Sequence, residues 1–464
     1  MYWIVSSALR FTSQPALQLL RHPLRLLGDP RGSGGSGAQA VVHRCDTLRL
    51  VVTPDLHSFL WRVGDQCARL VNMENFRRRR QYFETGRVDY SWMSAWARRK
   101  AEYYDIYRVL GSANFHEACR LISEQWKSFV GLLRAAKEGR LPPWQKVHPP
   151  GYRKDKDGER VPIVVVRFDN YKVDLERRVL QLGYWNISVP FKGRLRWLTR
   201  PGARQGRLII TYDFTKRRWY ARVSVEVVLE RKLDNGLRAG IDLGRERLIA
   251  LATEALSGSG EGVALLYRGG PLKADYYYFE RRIAEVDRAL SKLEEADRAV
   301  LKEERRRLYG KRRRRRDQVF ANAAAHLARM CKELGVGAVF IGYPWGIAHD
   351  KANKGNVNMW GYRRLLTRLA VTLENHGVAV FEVPENNTSR TCAWHGCEVQ
   401  RGPRGLVHCP HGHTVHADVN AALNILLRGL EALGIKASPP SQVRVLSFLP
   451  TPGGVIERKR NQAP

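Results

Sequence analysis

Three acidic positions in this chain have the types and spacing for phosphodiester chemistry. Asp242 ends the apolar run LRAGID, where an Asp before Leu-Gly often does no more than cap a turn. Asp418 lies far downstream in VHADVNAALNILLRG, at the start of a helical pattern whose Ala421, Ala422, Ile425 and Leu426 can pack closely on a sheet. A strand end and a helix start can pair distant carboxylates. A third belongs on another strand, and AVFEVPENNTSRTC supplies Glu382 and Glu385, of which Glu385 is the preferred partner. Hydrolysis by two divalent cations needs several carboxylates converging on ions about 4 Å apart, and Mg²⁺ suits such an oxygen-rich set.

A second constellation lies between these acids. Cys392, His395, Cys397, Cys409, His411, His413 and His416 fall within 25 residues, a concentration found nowhere else in the chain. Cys392-x-x-His395 followed by Cys409-x-His411 approximates the paired knuckles of a structural zinc ribbon, in which four soft donors close a tetrahedron. The second knuckle is irregular, and Cys397 and His413 are substitute donors that spacing does not rank.

Elements must position both sets, and the whole chain carries a strong charge. Lys and Arg number 79 against 45 Asp and Glu in 464 residues, a net +34 dispersed among 12 Trp and 18 Tyr. Counterion release makes nucleic acid the partner that fits this field, and the interleaved aromatics favour single-stranded or guide-bound strands over a membrane surface. Two basic runs are candidate phosphate contacts: Arg77, Arg78, Arg79 and Arg80, expected to face solvent, and KEERRRLYGKRRRRR (302 to 316), which holds Arg312, Arg313, Arg314 and Arg315. The scattered cysteines exclude a disulfide framework and suggest a reducing compartment. The opening MYWIVSSAL lacks a basic leader, so neither signal peptide nor membrane span is expected.

Period and punctuation divide the chain. A Gly-Ser run at 32 to 37 marks residues 1–37 as a flexible extension. Alternation in 38–53 gives a strand, helical spacing dominates 54–145, and short alternating runs return in 146–236, together a small β-barrel interrupted by a helical insert. Residues 237–390 begin a new α/β domain, with an amphipathic helical hairpin over 277–335. The Cys/His insert covers 391–414, a helix 415–432, and a tail 433–464.

The series GIDLG, ENNTSRTC, Cys/His cluster and HADVNAALNI resembles the TnpB family, relatives of the miniature type V CRISPR effectors. The resemblance implies an α/β multidomain protein: a RuvC domain of RNase H-like fold with an inserted zinc ribbon, preceded by a wedge β-barrel that a helical recognition domain interrupts. It implies Asp242 as the first and Asp418 as the last catalytic acid. In most of the family the second acid ends a strand as Glu-Asp-Leu; here that strand reads AVFIGYP, with Gly342 and Tyr343 at the acid's place, and Glu385 takes its role.

The expected protein is therefore an RNA-guided DNA endonuclease using two Mg²⁺ and a structural Zn²⁺. Guide RNA and target DNA are its partners, its products carry 5′ phosphates, and it works in a prokaryotic cytoplasm near the nucleoid as a monomer or dimer. A nuclease-dead RNA-guided regulator and a type V effector proper are the alternatives. A DNA-joining transposase ranks last, because no helix-turn-helix module is visible.

Overall fold

The computed structural model describes residues 25–26, 39–139, 141, 146–155, 157–230, 236–343, 361–385 and 387–458. The Gly-Ser run expected as a flexible extension lies outside them. Two compact units divide the chain: Val41–Val228, and Leu229–Pro464 together with the short strand β1 (Arg25–Leu26).

The first unit opens with strand β2 (Gln39–Leu50) and then turns helical. Thr53 caps α1 (Pro54–Thr85), its hydroxyl accepting the Leu56 N–H, with Pro54 in the first turn, where its missing N–H costs nothing. Helices α2 (Trp92–Ala97), α3 (Tyr104–Leu110) and α4 (Ser112–Lys137) follow. Val71 of α1 packs with Ile122, Trp126 and Phe129 of α4. Beside that apolar seam Asn75 is fully buried; it accepts the Trp126 indole N–H and donates to the carbonyls of Pro150 and Gly151.

The β-branched runs that follow form β3 (Ile163–Val166), β4 (Tyr171–Asp174), β5 (Val179–Leu182), β6 (Ile187–Lys192), β7 (Arg204–Asp213) and β8 (Arg218–Glu230). Among the described residues they make a seven-stranded sheet with β2, in the order β3-β7-β8-β2-β6-β5-β4. The four helices are thus an insertion between two strands of one sheet.

In the second unit, β9 (Leu237–Asp242), β10 (Arg247–Thr253) and β11 (Glu261–Arg268) form an antiparallel meander. Helices α5 (Gly270–Leu290) and α6 (Ala299–Glu333) pair through Phe279, Ile283, Val286 and Leu308. Strand β12 (Val336–Tyr343) lies parallel to β9, and after α7 (Tyr362–Glu374) strand β13 (Ala379–Pro384) lies parallel to β12. The short strands β14 (Gln400–Arg401), β15 (Leu406–His408) and β16 (Thr414–His416) form a separate sheet, and α8 (Ala417–Ala432) follows.

Residues 433–464, expected as a tail, contain β17 (Gln442–Thr451) and β18 (Gly454–Arg458) instead. β17 runs parallel to β11 along the register Glu261↔Gln442 to Tyr267↔Phe448, satisfying backbone groups that an exposed edge would leave open. The described sheet order is β1-β13-β12-β9-β10-β11-β17-β18.

One face of this sheet buries Ile241, Leu251, Leu265 and Val339 against α5, α6 and α7; the other buries Ala250, Ala264 and Phe340 with α8, joined by Ala393 of the Cys/His insert. That second contact is close: a Cβ placed on Gly240 of β9 would lie 2.0 Å from the Ala422 carbonyl oxygen. Gly240→Ala must therefore push helix from strand and is expected to cost about 1–3 kcal/mol or more in unfolding free energy. Gly310→Ala, inside α6 with only the flexible Arg314 guanidinium 3.3 Å away, is expected to add about 0.5–1 kcal/mol. Chemical denaturation of the two variants should give shifts of opposite sign.

Candidate metal centre and nucleic-acid contacts

Parallel pairing of β9, β12 and β13 brings their C-terminal ends to one edge of the sheet. Ile341 pairs with Ile241 and Gly342 with Val383, so Gly342 sits level with Asp242, and Glu385 follows two residues beyond Val383. A Cβ on Gly342 would lie 3.2 Å from the Glu385 Oε2 and 2.4 Å from Ile425 of α8. The space a side chain at 342 would need is thus taken by Ile425 and bordered by Glu385, just beyond the end of the neighbouring strand.

The loop bearing Glu385 is fastened by α8. Asn424 donates to the carbonyls of Thr388 and Thr391, Asn420 donates to Thr391 and accepts from the Ala393 N–H, and Arg428 donates to the Pro384 carbonyl at 2.6 Å. These residues recur every four positions, one row along the helix. Thr388 closes a turn back onto the Glu385 carbonyl with both its N–H and its hydroxyl.

Asp418 enters from the start of the same helix. His416 caps α8 by accepting the Asp418 N–H on Nδ1 at 3.2 Å, and that Nδ1 lies 3.5 Å from the Asp418 carboxylate. His416, one of the seven cluster residues in sequence, therefore serves the acids. Glu382 is buried on the Val380 side of β13, where its nearest cation is Arg363 at 3.9 Å.

The electrostatics are those of a buried acid cluster whose members repel one another. Burial first, and then the charge of Asp418, pushes the Asp242 carboxyl up to about 7. Burial and then Asp242 push Glu385 up to about 8, and its Oε2 is buried without a hydrogen-bond partner. Asp418 is also raised by burial, with His416, Arg247 and Arg401 pulling the other way. Oxygen donors that repel one another, one of them buried without a partner, fit a hard divalent cation. Tyr362, at the start of α7, also feels Glu385 and Asp242, which add to burial in raising its hydroxyl to about 12. No motif marks Tyr362 or His416 for this site; only the fold brings them there.

In the Cys/His insert, donor atoms of Cys392, His395 and His413 lie within 4.8 Å of one another. The Cys409 sulfur lies 3.2 Å from the His395 Nδ1 and 3.3 Å from the Cys397 sulfur. Burial opposes ionisation of Cys409, but the His411 N–H and the neighbouring Cys397, His395 and Cys392 side chains outweigh it and bring the thiol to about 7. His411 meets the cluster through its backbone N–H on Cys409 and a ring 4.7 Å from that of His395. The imidazole that closes the three-donor group is that of His413.

The basic runs divide differently from the expectation. Arg78 is buried, donating to the Ser91 carbonyl and the Ser123 hydroxyl, because α1 turns this position toward α4; the expectation that the whole run faces solvent fails there. Arg77 pairs with Glu102, Arg80 with Glu84, and Arg79 donates to the Pro150 carbonyl. On α6, Arg312 and Arg315 are tied to Glu280 and Asp275 of α5, whereas the exposed Arg313 and Arg314 have no ion pair among the described residues.

Comparison with known proteins bears directly on this arrangement. The TnpB-like protein ORF457 of Acidianus two-tailed virus is 37% identical over 429 residues, which cover 88% of this chain and 90% of that protein. The chain belongs to the TnpB-like family. Residues 220–348 match OrfB_IS605, described as a probable transposase, and residues 362–425 match the Cas12f1-like TNB domain. The first family match spans Asp242, and the second spans Glu385, the Cys/His insert and Asp418. The Cas12f1–sgRNA–target DNA complex has a similar fold, with TM-score 0.50 and 16% identity over 81% of this chain and 83% of that one. The mini-RNA-guided endonuclease Cas_phi3 is more distant, with TM-score 0.43 and 12% identity over 86% and 94%.

The raised acids make stability depend on pH in a defined direction. Asp242 and Glu385 titrate above their ordinary values of 3.8 and 4.5, so the folded chain holds protons that the unfolded chain releases. Without divalent cations, their contribution to stability should fall as pH rises from about 4 through about 8 and then level off. In chemical denaturation with a chelator present, Glu385→Gln should flatten this fall relative to the unsubstituted protein; an equally steep fall in the variant would remove the buried-acid assignment.

Proposed function

We propose that this protein is an RNA-guided DNA endonuclease in which Asp242, Glu385 and Asp418 hold two Mg²⁺. The observation that carries this reading is the Glu385 carboxylate bordering the space beside Gly342, which sits level with Asp242. Family membership supports the guided-nuclease class, and the Cas12f1 relative in complex with sgRNA and target DNA supports the two nucleic-acid partners. The eight-stranded unit is read as a RuvC domain of RNase H-like fold, and β2–β8 with the inserted α1–α4 as the wedge and recognition domains.

When bound, the two cations would activate water and neutralise charge on the leaving oxygen. The chain's own part is geometric and electrostatic. Asp242 couples to both other acids and is suited to serve both ions. His416 holds the Asp418 backbone at the helix start, and Asn420 and Asn424 hold the Glu385 loop. Arg313 and Arg314, free of acidic partners among the described residues, are available to phosphates. Base pairing with the guide reads the target sequence, and the protein reads backbone shape.

In the Cys/His insert we place a structural Zn²⁺, with Cys392, His395 and His413 as donors and a thiolate of Cys409 or Cys397 to complete a tetrahedron. His411, expected as the fourth ligand from spacing, is replaced by His413 in this assignment.

The protein purified with co-expressed RNA should cleave matched DNA in Mg²⁺ but not in chelator. Asp242→Ala and Glu385→Ala should each lower the rate by more than about a hundredfold, since loss of a group one shell further out already costs about 10–100-fold. Full cleavage by Glu385→Ala would sink the relocated ligand, and guided binding without any cleavage would favour the regulator. Metal analysis should find one zinc per chain in addition, reduced by Cys409→Ser.

A further inference from the structure

The Cys/His insert holds one donor more than its metal needs. Cys392, His395, Cys397, Cys409 and His413 converge there, whereas a structural zinc takes four ligands in a tetrahedron. Of the two thiols that compete for the fourth place, Cys409 is the better held. It is 7% exposed, its sulfur accepts the His411 backbone N–H at 3.4 Å, and it lies 3.2 Å from the His395 Nδ1. Cys397 is half-buried between the exposed Gly396 and Glu398, and its sulfur lies 3.3 Å from that of Cys409. Both backbones are fixed, since the Cys397 carbonyl accepts the Cys392 N–H and the Cys409 N–H donates to the His413 carbonyl. Side-chain rotation alone has to bring the two sulfurs to the ~2.05 Å of a disulfide.

Little besides the metal holds the insert together. Its core consists of Cys392, Val399, Val407 and Cys409, with Ala417, the first residue of α8, packed against it. A module this small owes its fold to its metal. Two connections carry a loss of order to the acids. β16 follows directly on His413 and ends at His416, which caps α8 at the Asp418 N–H. The Ala393 N–H, next to Cys392, donates to Asn420, which also holds the Thr391 carbonyl of the Glu385 loop.

We propose that Cys397 and Cys409 are a site of oxidative modification, at which a small disulfide joins their sulfurs, expels the zinc and loosens the first turn of α8. The proposal rests on the structural-zinc reading of the insert. Cys397, the spare and more accessible thiol, gives up its proton and attacks one sulfur of the oxidant, releasing a small thiolate and leaving a mixed disulfide. The Cys409 thiolate then leaves the zinc and attacks the Cys397 sulfur, forming the Cys397–Cys409 bond and releasing the second small thiolate. Two protein sulfurs lose two electrons, and one disulfide is reduced to two thiols. A half-exposed sulfur poised beside a resolving cysteine is the arrangement that redox-sensing thiols require. In a reducing compartment the pair stays a dithiol and the zinc is retained.

The full chain with its co-expressed RNA, purified reduced, is exposed to oxidised glutathione. Peptide mapping without reductant, zinc released to a colorimetric chelator, hydrogen exchange over residues 414–420, and cleavage relative to the same protein before oxidation are followed. A Cys397–Cys409 disulfide is expected, with one zinc per chain released in step and faster exchange over 414–420. Cleavage should fall about tenfold or more, the loss that follows when an outer partner of a metal ligand is disturbed. Dithiothreitol with added zinc should restore all four. Cys397→Ser should hold one zinc as purified and keep it under the same oxidant. Glutathione adducts with the zinc retained, a different cysteine pair, equal zinc release from Cys397→Ser, or unchanged exchange once the disulfide has formed would each overturn the proposal. So would a Cys397→Ser protein purified without zinc, which would make Cys397 a ligand. A reduced protein without zinc removes the zinc reading and this proposal with it. A reduced protein that holds zinc but does not cleave bears on the nuclease reading alone, and the other three measurements decide.

Discussion

The contact between α8 and the sheet constrains everything around the acid site. Gly240, Gly342 and Gly429 stand where a Cβ would strike Ala422, Ile425 or Phe340, so helix and strands approach to the limit that backbone allows. Close approach sets the height of Asp418 above the strand ends and brings the Asn420, Asn424 and Arg428 row within reach of the loop after β13. Those side chains bond to backbone carbonyls, which do not change when a loop side chain changes. The helix therefore fixes the loop's path independently of the acid the loop carries.

This separation leaves the acid free to come from either of two neighbouring strands. A Glu on the end of β12 and one just beyond the end of β13 reach the same space because the two strands are parallel neighbours in fixed register. A side chain at 342 would meet Ile425 of α8 at 2.4 Å from its Cβ and the Glu385 Oε2 at 3.2 Å. Burying three repelling carboxylates costs free energy that Arg247 and Arg401 offset only at Asp418, and a fold keeps such an arrangement where an ion supplies the missing charge.

Much of this was legible in the residues, for reasons that can be named. Asp242 ends a strand of buried residues and Asp418 starts an amphipathic helix, and both patterns are periodic. Glu385 was separable from Glu382 only by preference in the sequence; the alternation of β13 adds that Glu382 lies on the Val380 face, beside Arg363. The partition of seven Cys and His residues was not legible, because spacing cannot show that β16 runs straight into α8 and carries His416 to the helix cap. The C-terminal strands were missed because QVRVLSFLPT shows its burial only once paired with β11.

Charge was the feature easiest to read and hardest to place. A run such as Arg312 to Arg315 looks uniform, yet helical rotation turns Arg312 and Arg315 onto the acids of α5 and leaves Arg313 and Arg314 outside. Arg77 to Arg80 go further, each finding a carboxylate, a carbonyl or a hydroxyl of the chain itself. An arginine paired internally holds a fold together, whereas one kept apart from every carboxylate raises the energy of the free protein. Density of basic residues does not distinguish the two; the positions of the acids do. In a chain of net +34, the 45 acidic residues therefore decide which cations remain for nucleic acid.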